Sequence, residues 1–194
     1  FAVDFLDYLI LDKDVSPKTR NNYRTWLSTF GTWLKDRLYI DDNPIDEIHM
    51  LKEEEKFRDP LTAADLVRLR DYTMKYNPPF YLACMMEYYC FIRPDELRYV
   101  RIGDISIKDQ TVYVHPEFAK NRKGQVVALN DNLLKIMIKQ KVFDHPSNEF
   151  LFGHKLVPGP EKIYVNQFRI EWAKVRKALG WPKSYQSYSL KESG

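Results

Sequence analysis

Arg93 is the residue best mounted for chemistry in this sequence. It precedes Pro94, and a proline pushes its predecessor out of the helical region, so the apolar helix running into Phe91-Ile92 is expected to stop there. Pro94 suits the first position of a new helix, with Asp95 and Glu96 at that helix's positive end. Such a junction holds a guanidinium in place for an anion. The other reading of the same residues is local pairing of Arg93 with Asp95 or Glu96. A second group of cations, Lys120, Arg122 and Lys123, crowds the stretch from His115 to Gly124, which reads as a turn between two strands. The sequence has no glycine-rich phosphate loop and no Ser/His/Asp spacing, which leaves no rival catalytic constellation. Its four histidines (His49, His115, His145 and His154) lack metal-ligand spacing, so no metal site is expected.

The elements that must position these cations can be read from caps and periodicity. Phe1, Phe5, Leu6 and Leu9 recur at helical spacing, and Ser16-Pro17 is a strong helix start. From there Tyr23, Trp26, Leu27, Phe30, Trp33 and Leu34 trace one apolar face, with Lys18, Arg20 and Arg24 mostly off it. Those three cations read either as phosphate contacts or as a plain solvated face. Asn43-Pro44 marks a turn, and Ile45, Ile48 and Leu51 suggest a further short helix.

A charged stretch ending in Pro60 then reads as a linker at 53–60, between a helical domain at 1–52 and a second domain at 61–194. Thr62 and Asp65 form a capping box, and the helix delivering Arg93 follows Asn77-Pro78-Pro79. The period changes to two around Ile105 and Ile107, Val112 and Val114, then Val126, Val127 and Leu129, which predicts three short strands. Asn130 caps a helix with Leu133, Leu134, Met137 and Ile138 inside. A last long helix carries Phe168, Trp172, Val175 and Leu179 and ends at Gly180.

Composition narrows the class of partner. With 44% hydrophobic and 14% aromatic residues the chain is globular, and no apolar run approaches the ~20 residues of a membrane span. Cys84 and Cys90, six residues apart in one predicted helix, read as buried thiols of a reducing compartment. No signal peptide opens the chain, and a start at Phe1 rather than methionine reads as a fragment boundary. The net charge of +3 is unevenly spread. Residues 1–56 hold 8 Lys and Arg against 12 Asp and Glu, whereas residues 57–194 hold 22 against 15. The basic part is the one with Arg93, as expected of a surface that faces a polyanion.

The run Arg93-Pro94-Asp95-Glu96-Leu97, followed by Asp104-Ile105 entering a strand, resembles the first signature box of the tyrosine recombinases, the phage and transposon integrases. The N-terminal segment around Ser16, Pro17, Thr19 and Tyr23 is similar to the family's core-binding domain. The resemblance implies an α+β, mainly helical fold: a small helical (SAM-like) core-binding domain plus a mixed catalytic domain with a small antiparallel sheet. It implies double-stranded DNA as partner, a tetramer of the full-length protein on that DNA, no cofactor, no membrane, and a bacterial cytoplasmic setting.

In that family Arg93 would bind the scissile phosphate, with Glu96 orienting it. Lys120, eight residues before Ala128, takes the place of the catalytic lysine, with Lys123 the fallback. The second box corresponds to Tyr188-Ser189-Leu190-Lys191-Glu192-Ser193, in which Lys191 replaces an arginine, Tyr188 a histidine, and Glu192 a second histidine. Lysine keeps the charge but cannot give a phosphate two parallel hydrogen bonds. The family's nucleophilic tyrosine would come some tens of residues later, which again implies a fragment. Two functions follow as expectations: cutting and rejoining DNA through a 3′-phosphotyrosyl bond, or site recognition without cutting.

Overall fold

The structure is a computed structural model that describes residues 1–53 and 59–193. The chain divides into two compact units, Phe1–Lys56 and Phe57–Gly194. The expected linker falls largely on residues 54–58, outside those described.

In the first unit, helix α1 (Ala2–Leu11) is followed by α2 (Pro17–Asp36). Ser16 caps α2, its Oγ accepting from the Thr19 N–H at 3.3 Å. Leu6, Leu9 and Ile45 are the buried apolar residues. Much of the remaining cohesion is polar. Asn21 donates to the Leu51 carbonyl at 2.8 Å and accepts from its N–H at 2.9 Å. Asn43 donates to the Ser28 carbonyl at 3.0 Å, packed so closely on Gly31 that an added Cβ there would lie 2.1 Å from its Oδ1.

Two expectations change here. The short helix foreseen around Ile45–Leu51 is a pair of tight turns (Asp46 N–H to Asn43 O, Ile48 N–H to Ile45 O), because α2 side chains take up the carbonyls a helix would need. The aromatic face of α2 is also largely exposed, with Trp26 at 63% and Phe30 at 58%. The helix uses its Arg20–Asn21–Arg24 side to hold residues 45–51 instead.

In the second unit, α3 (Ala63–Tyr76) starts at the expected capping box. The Asp65 N–H donates to Thr62 Oγ1 at 3.1 Å, and the Thr62 N–H to Asp65 Oδ2 at 3.2 Å. Helix α4 (Pro78–Cys90) follows an Asn77 cap and is buried along most of its length. It stops at Phe91, which is left-handed (φ 54°). Arg93 is extended (φ −74°, ψ 148°), as its position before proline requires, and Pro94 opens the short helix α5 (Pro94–Leu97).

Strands β1 (Ile105–Ser106), β2 (Thr111–Val114) and β3 (Gln125–Ala128) form an antiparallel sheet in sequence order. Val112 lies opposite both Ile105 and Val127. The first strand stops short of Ile107, which is exposed, and the third stops short of Leu129, which is buried. The Leu129 N–H closes the sheet end on the Gln110 carbonyl at 2.7 Å.

Helices α6 (Asp131–Lys139), α7 (Gln167–Ala178) and the terminal α8 (Ser189–Ser193) complete the unit. Ile138, expected inside α6, is 58% exposed, while Leu133, Leu134 and Met137 face the core. The core is a single cluster around α4 that reaches Val112, Phe152, Trp172 and Leu190. Cys84 and Cys90 lie within it as free thiols, and burial pushes Cys90 up to about 12. No helix among the described residues is long and apolar enough to cross a membrane.

Candidate functional site

Glu96 is the hub of the site. It is 2% exposed and its two carboxylate oxygens accept three hydrogen bonds. Arg93 donates from its backbone N–H to Oε2 and from its guanidinium to Oε1, each at 3.0 Å. The Lys120 backbone N–H, from a segment 24 residues away, donates to Oε1 at 3.2 Å. Burial alone would raise the Glu96 carboxyl, but these donors and the Arg93 charge hold it below the ordinary carboxylate range. One carboxylate thus ties the first box to the turn between β2 and β3. The Arg93 side chain keeps 39% of its surface exposed, so the pairing orients the guanidinium without enclosing it.

The turn is pinned along its length. Phe118 stacks on Tyr99 with ring centroids 4.0 Å apart and planes within 4°. His115 Nε2 lies 2.8 Å from Asp104 Oδ1, and Ala119 is buried. Lys120, the next residue, is exposed. Arg122 and Lys123 sit further out, also exposed, with Arg122 in a left-handed conformation (φ 54°).

The third component comes from the chain's end. Residues 185–193 are held to α3 and the residues just before it: the Tyr185 hydroxyl donates to Asp65 Oδ2 at 3.0 Å, and the Leu61 N–H donates to Ser193 Oγ at 2.6 Å. This seats α8 against α4, where the Lys191 ammonium donates to the Phe91 carbonyl and lies 5.5 Å from the centre of the Tyr188 ring. Tyr188 in turn reaches Arg93. The Glu96 hydrogen bond first, and the Tyr188 hydroxyl after it, hold the guanidinium above its already high range. Burial pushes the Lys191 ammonium down, as does the Arg93 charge, while Glu87 and Glu96 pull it up. Arg93, Glu96, Lys120, Tyr188 and Lys191 therefore gather in one place, and Glu192 is exposed.

The first unit disposes of its cations differently. Arg20 is 6% exposed and donates to the His49 carbonyl at 2.8 Å. Arg24 donates to the carbonyls of Ile48 and Ile45 at 2.8 and 3.0 Å. Neither lies on the solvated face read from the sequence, because both guanidinium groups satisfy backbone acceptors. Lys18 does face solvent, 3.9 Å from Glu53.

Three features were not foreseen: the Phe91 carbonyl as an anchor, the Tyr99–Phe118 stack, and a buried Glu87. Only Glu87 left a signal, being the one charged residue of α4. Among the described residues no group of His, Cys, Asp and Glu could hold a metal.

Residues 59–192 match the phage integrase family, and residues 2–50 match the phage integrase N-terminal SAM-like domain. The chain is 32% identical over 116 residues to the defective protein IntQ of Escherichia coli (strain K12), covering 60% of this chain and 29% of that protein. It is 26% identical over 139 residues to a tyrosine recombinase of Pseudothermotoga lettingae, covering 71% and 48%. The chain thus spans less than half the length of these relatives. In fold it resembles the Tn1549 transposon integrase in complex with transposon right end DNA (TM-score 0.80, 16% identity, 99% of this chain and 69% of that one). It also resembles a λ integrase dimer bound to a COC′ core site (TM-score 0.75, 16% identity, 98% and 69%). The chain belongs to the phage integrase family, the tyrosine recombinases.

Proposed function

We propose that this chain carries the phosphate-holding part of a tyrosine recombinase site and serves a protein that cuts and rejoins duplex DNA through a 3′-phosphotyrosyl bond. The observation that carries the reading is Glu96, which joins the half-exposed Arg93 guanidinium to the Lys120 turn. In such a reaction a tyrosine oxygen bonds to phosphorus, the bond from phosphorus to the 5′ oxygen breaks, and that oxygen takes up a proton. The phosphotyrosyl bond keeps the ester for religation. Arg93 and Lys191 would stabilise charge growing on the non-bridging oxygens, and Lys120 would give its proton to the leaving oxygen. Tyr188 would donate to the phosphate where the family has histidine. Tyr185 is engaged by Asp65 and is not the nucleophile in this reading. Lys18, Arg122 and Lys123 are assigned to neighbouring phosphates. The DNA-bound relatives support duplex DNA as the partner, and tetramer assembly and integration of a mobile element belong to the same proposal.

One observation favours recognition without cutting: Lys191 stands in an arginine slot and is already engaged by the Phe91 carbonyl. A nicked suicide duplex, given to the full-length protein and carrying a site that protein selects from a random library, separates the two readings. A covalent adduct that survives denaturation and disappears in Arg93→Ala supports the recombinase. Salt-sensitive binding without any adduct would leave a site-recognition protein, and an adduct unaffected by Arg93→Ala would remove the central role assigned here.

A further inference from the structure

Glu87 is a buried acid to which the proposed reaction assigns no role. It is 4% exposed, and its Oε1 has no hydrogen-bond partner among the described residues. Leaving a buried polar atom unpaired costs stability, so such an atom calls for an explanation. Its position supplies one. Glu87 lines a small cavity with Cys84, Pro94 and Ser187, where α4 meets the start of α5 and the segment leading into α8. It lies one helical turn before Phe91, whose carbonyl holds the Lys191 ammonium.

We propose that Glu87 is a positioning residue for Lys191, a buried carboxyl that takes up a proton from solvent when a DNA phosphate oxygen comes to that ammonium. The proposal rests on the reading that Lys191 faces phosphate. With Glu87 ionised, Arg93 and Lys191 are balanced by Glu96 and Glu87, which leaves Lys120 as the site's uncompensated positive charge. With Glu87 protonated the site gains one further positive charge, and Lys191 turns from its internal counter-charge to the ligand. Burial already pushes the Glu87 carboxyl up to about 7 against the pull of Lys191, so the proton is exchangeable near neutrality. The other titratable groups in play are Cys84 on the same helix, and Arg93 and Glu96 acting through Lys191. An arginine in the Lys191 slot would keep its charge regardless; a lysine among buried groups depends on what lies beneath it.

The test is duplex affinity as a function of pH for this chain, using a short DNA duplex and fluorescence anisotropy. Wild type should lose affinity between pH 7 and 9 by up to about tenfold per pH unit, the limit for uptake of one proton. Glu87→Gln, which is always neutral, should bind as wild type does at pH 6 and show a flatter profile. Coincident profiles overturn the proposal. Should Glu87→Gln fold poorly, the carboxyl carbon of Glu87 can be titrated by NMR in the wild type. Its midpoint should rise when duplex is added, and an unmoved midpoint also overturns the proposal. Arg93→Ala separates the two levels. If it weakens binding while the Glu87 profiles coincide, only this inference falls. If it leaves binding unchanged, the phosphate reading falls and takes this inference with it.

Discussion

Arg24 in the first unit and Arg93 in the second are the same residue type, and both could hold DNA phosphate, yet the structure gives them opposite surroundings. Arg24 meets backbone carbonyls of residues 45–48, which take up its donors. Arg93 meets one carboxylate and the Tyr188 hydroxyl and keeps a substantial open surface. The difference lies in what the neighbours lack. Residues 45–51 form no regular structure, so their carbonyls need donors and α2 supplies them. Around Arg93 the backbone is satisfied by helix ends and by Glu96, and the guanidinium, held by Glu96 and Tyr188, keeps 39% of its side chain open to another partner. The two units differ in the same way overall, one held in large part by polar side chains and the other by a continuous apolar core.

Removing the hub should have the largest effect. Glu96→Ala leaves the Arg93 and Lys120 N–H groups without their acceptor and should cost roughly 2–3 kcal/mol through lost hydrogen bonds to a buried charge, read by urea unfolding of the second unit. Its carboxyl is held below the ordinary range, so its stabilisation is present above about pH 4.5 and is lost as pH falls below that. Glu96→Ala should therefore flatten the acid limb of the stability profile. An unchanged acid limb would show that Glu96 does not have the role assigned.

The contrast between the arginines sharpens next. Arg24→Ala should destabilise the first unit by about 1–3 kcal/mol through lost hydrogen bonds while leaving the salt dependence of duplex binding unchanged. Arg93→Ala should reduce the slope of log affinity against log salt by about 1, the signature of one lost phosphate contact. Equal salt slopes for the two variants would erase the distinction. The smallest effect concerns a cap remote from the cations. Thr62→Ala should cost about 1 kcal/mol in thermal unfolding and leave duplex affinity within twofold, since Asp65 keeps Tyr185 as a partner.

The amino-acid sequence by itself determined where α2, α3, α4, α5 and α6 start, because caps and prolines act within three or four residues. Ser16-Pro17, Thr62 with Asp65, Asn77-Pro78, Arg93-Pro94 and Asn130 all stand where local backbone chemistry puts them. It also made the Arg93–Glu96 pair legible, since these residues are one helical turn apart. What only the tertiary structure decided lies across long separations. The exposed aromatic face of α2 shows that periodicity marks an apolar stripe without saying what covers it. The inward turn of Arg20 and Arg24 depends on carbonyls more than twenty residues away. The Lys120 N–H on Glu96, and the Lys191 ammonium on a carbonyl 100 residues earlier, depend on packing around α4. A side chain's local propensity carries no information about which unsatisfied group the rest of the fold will bring beside it.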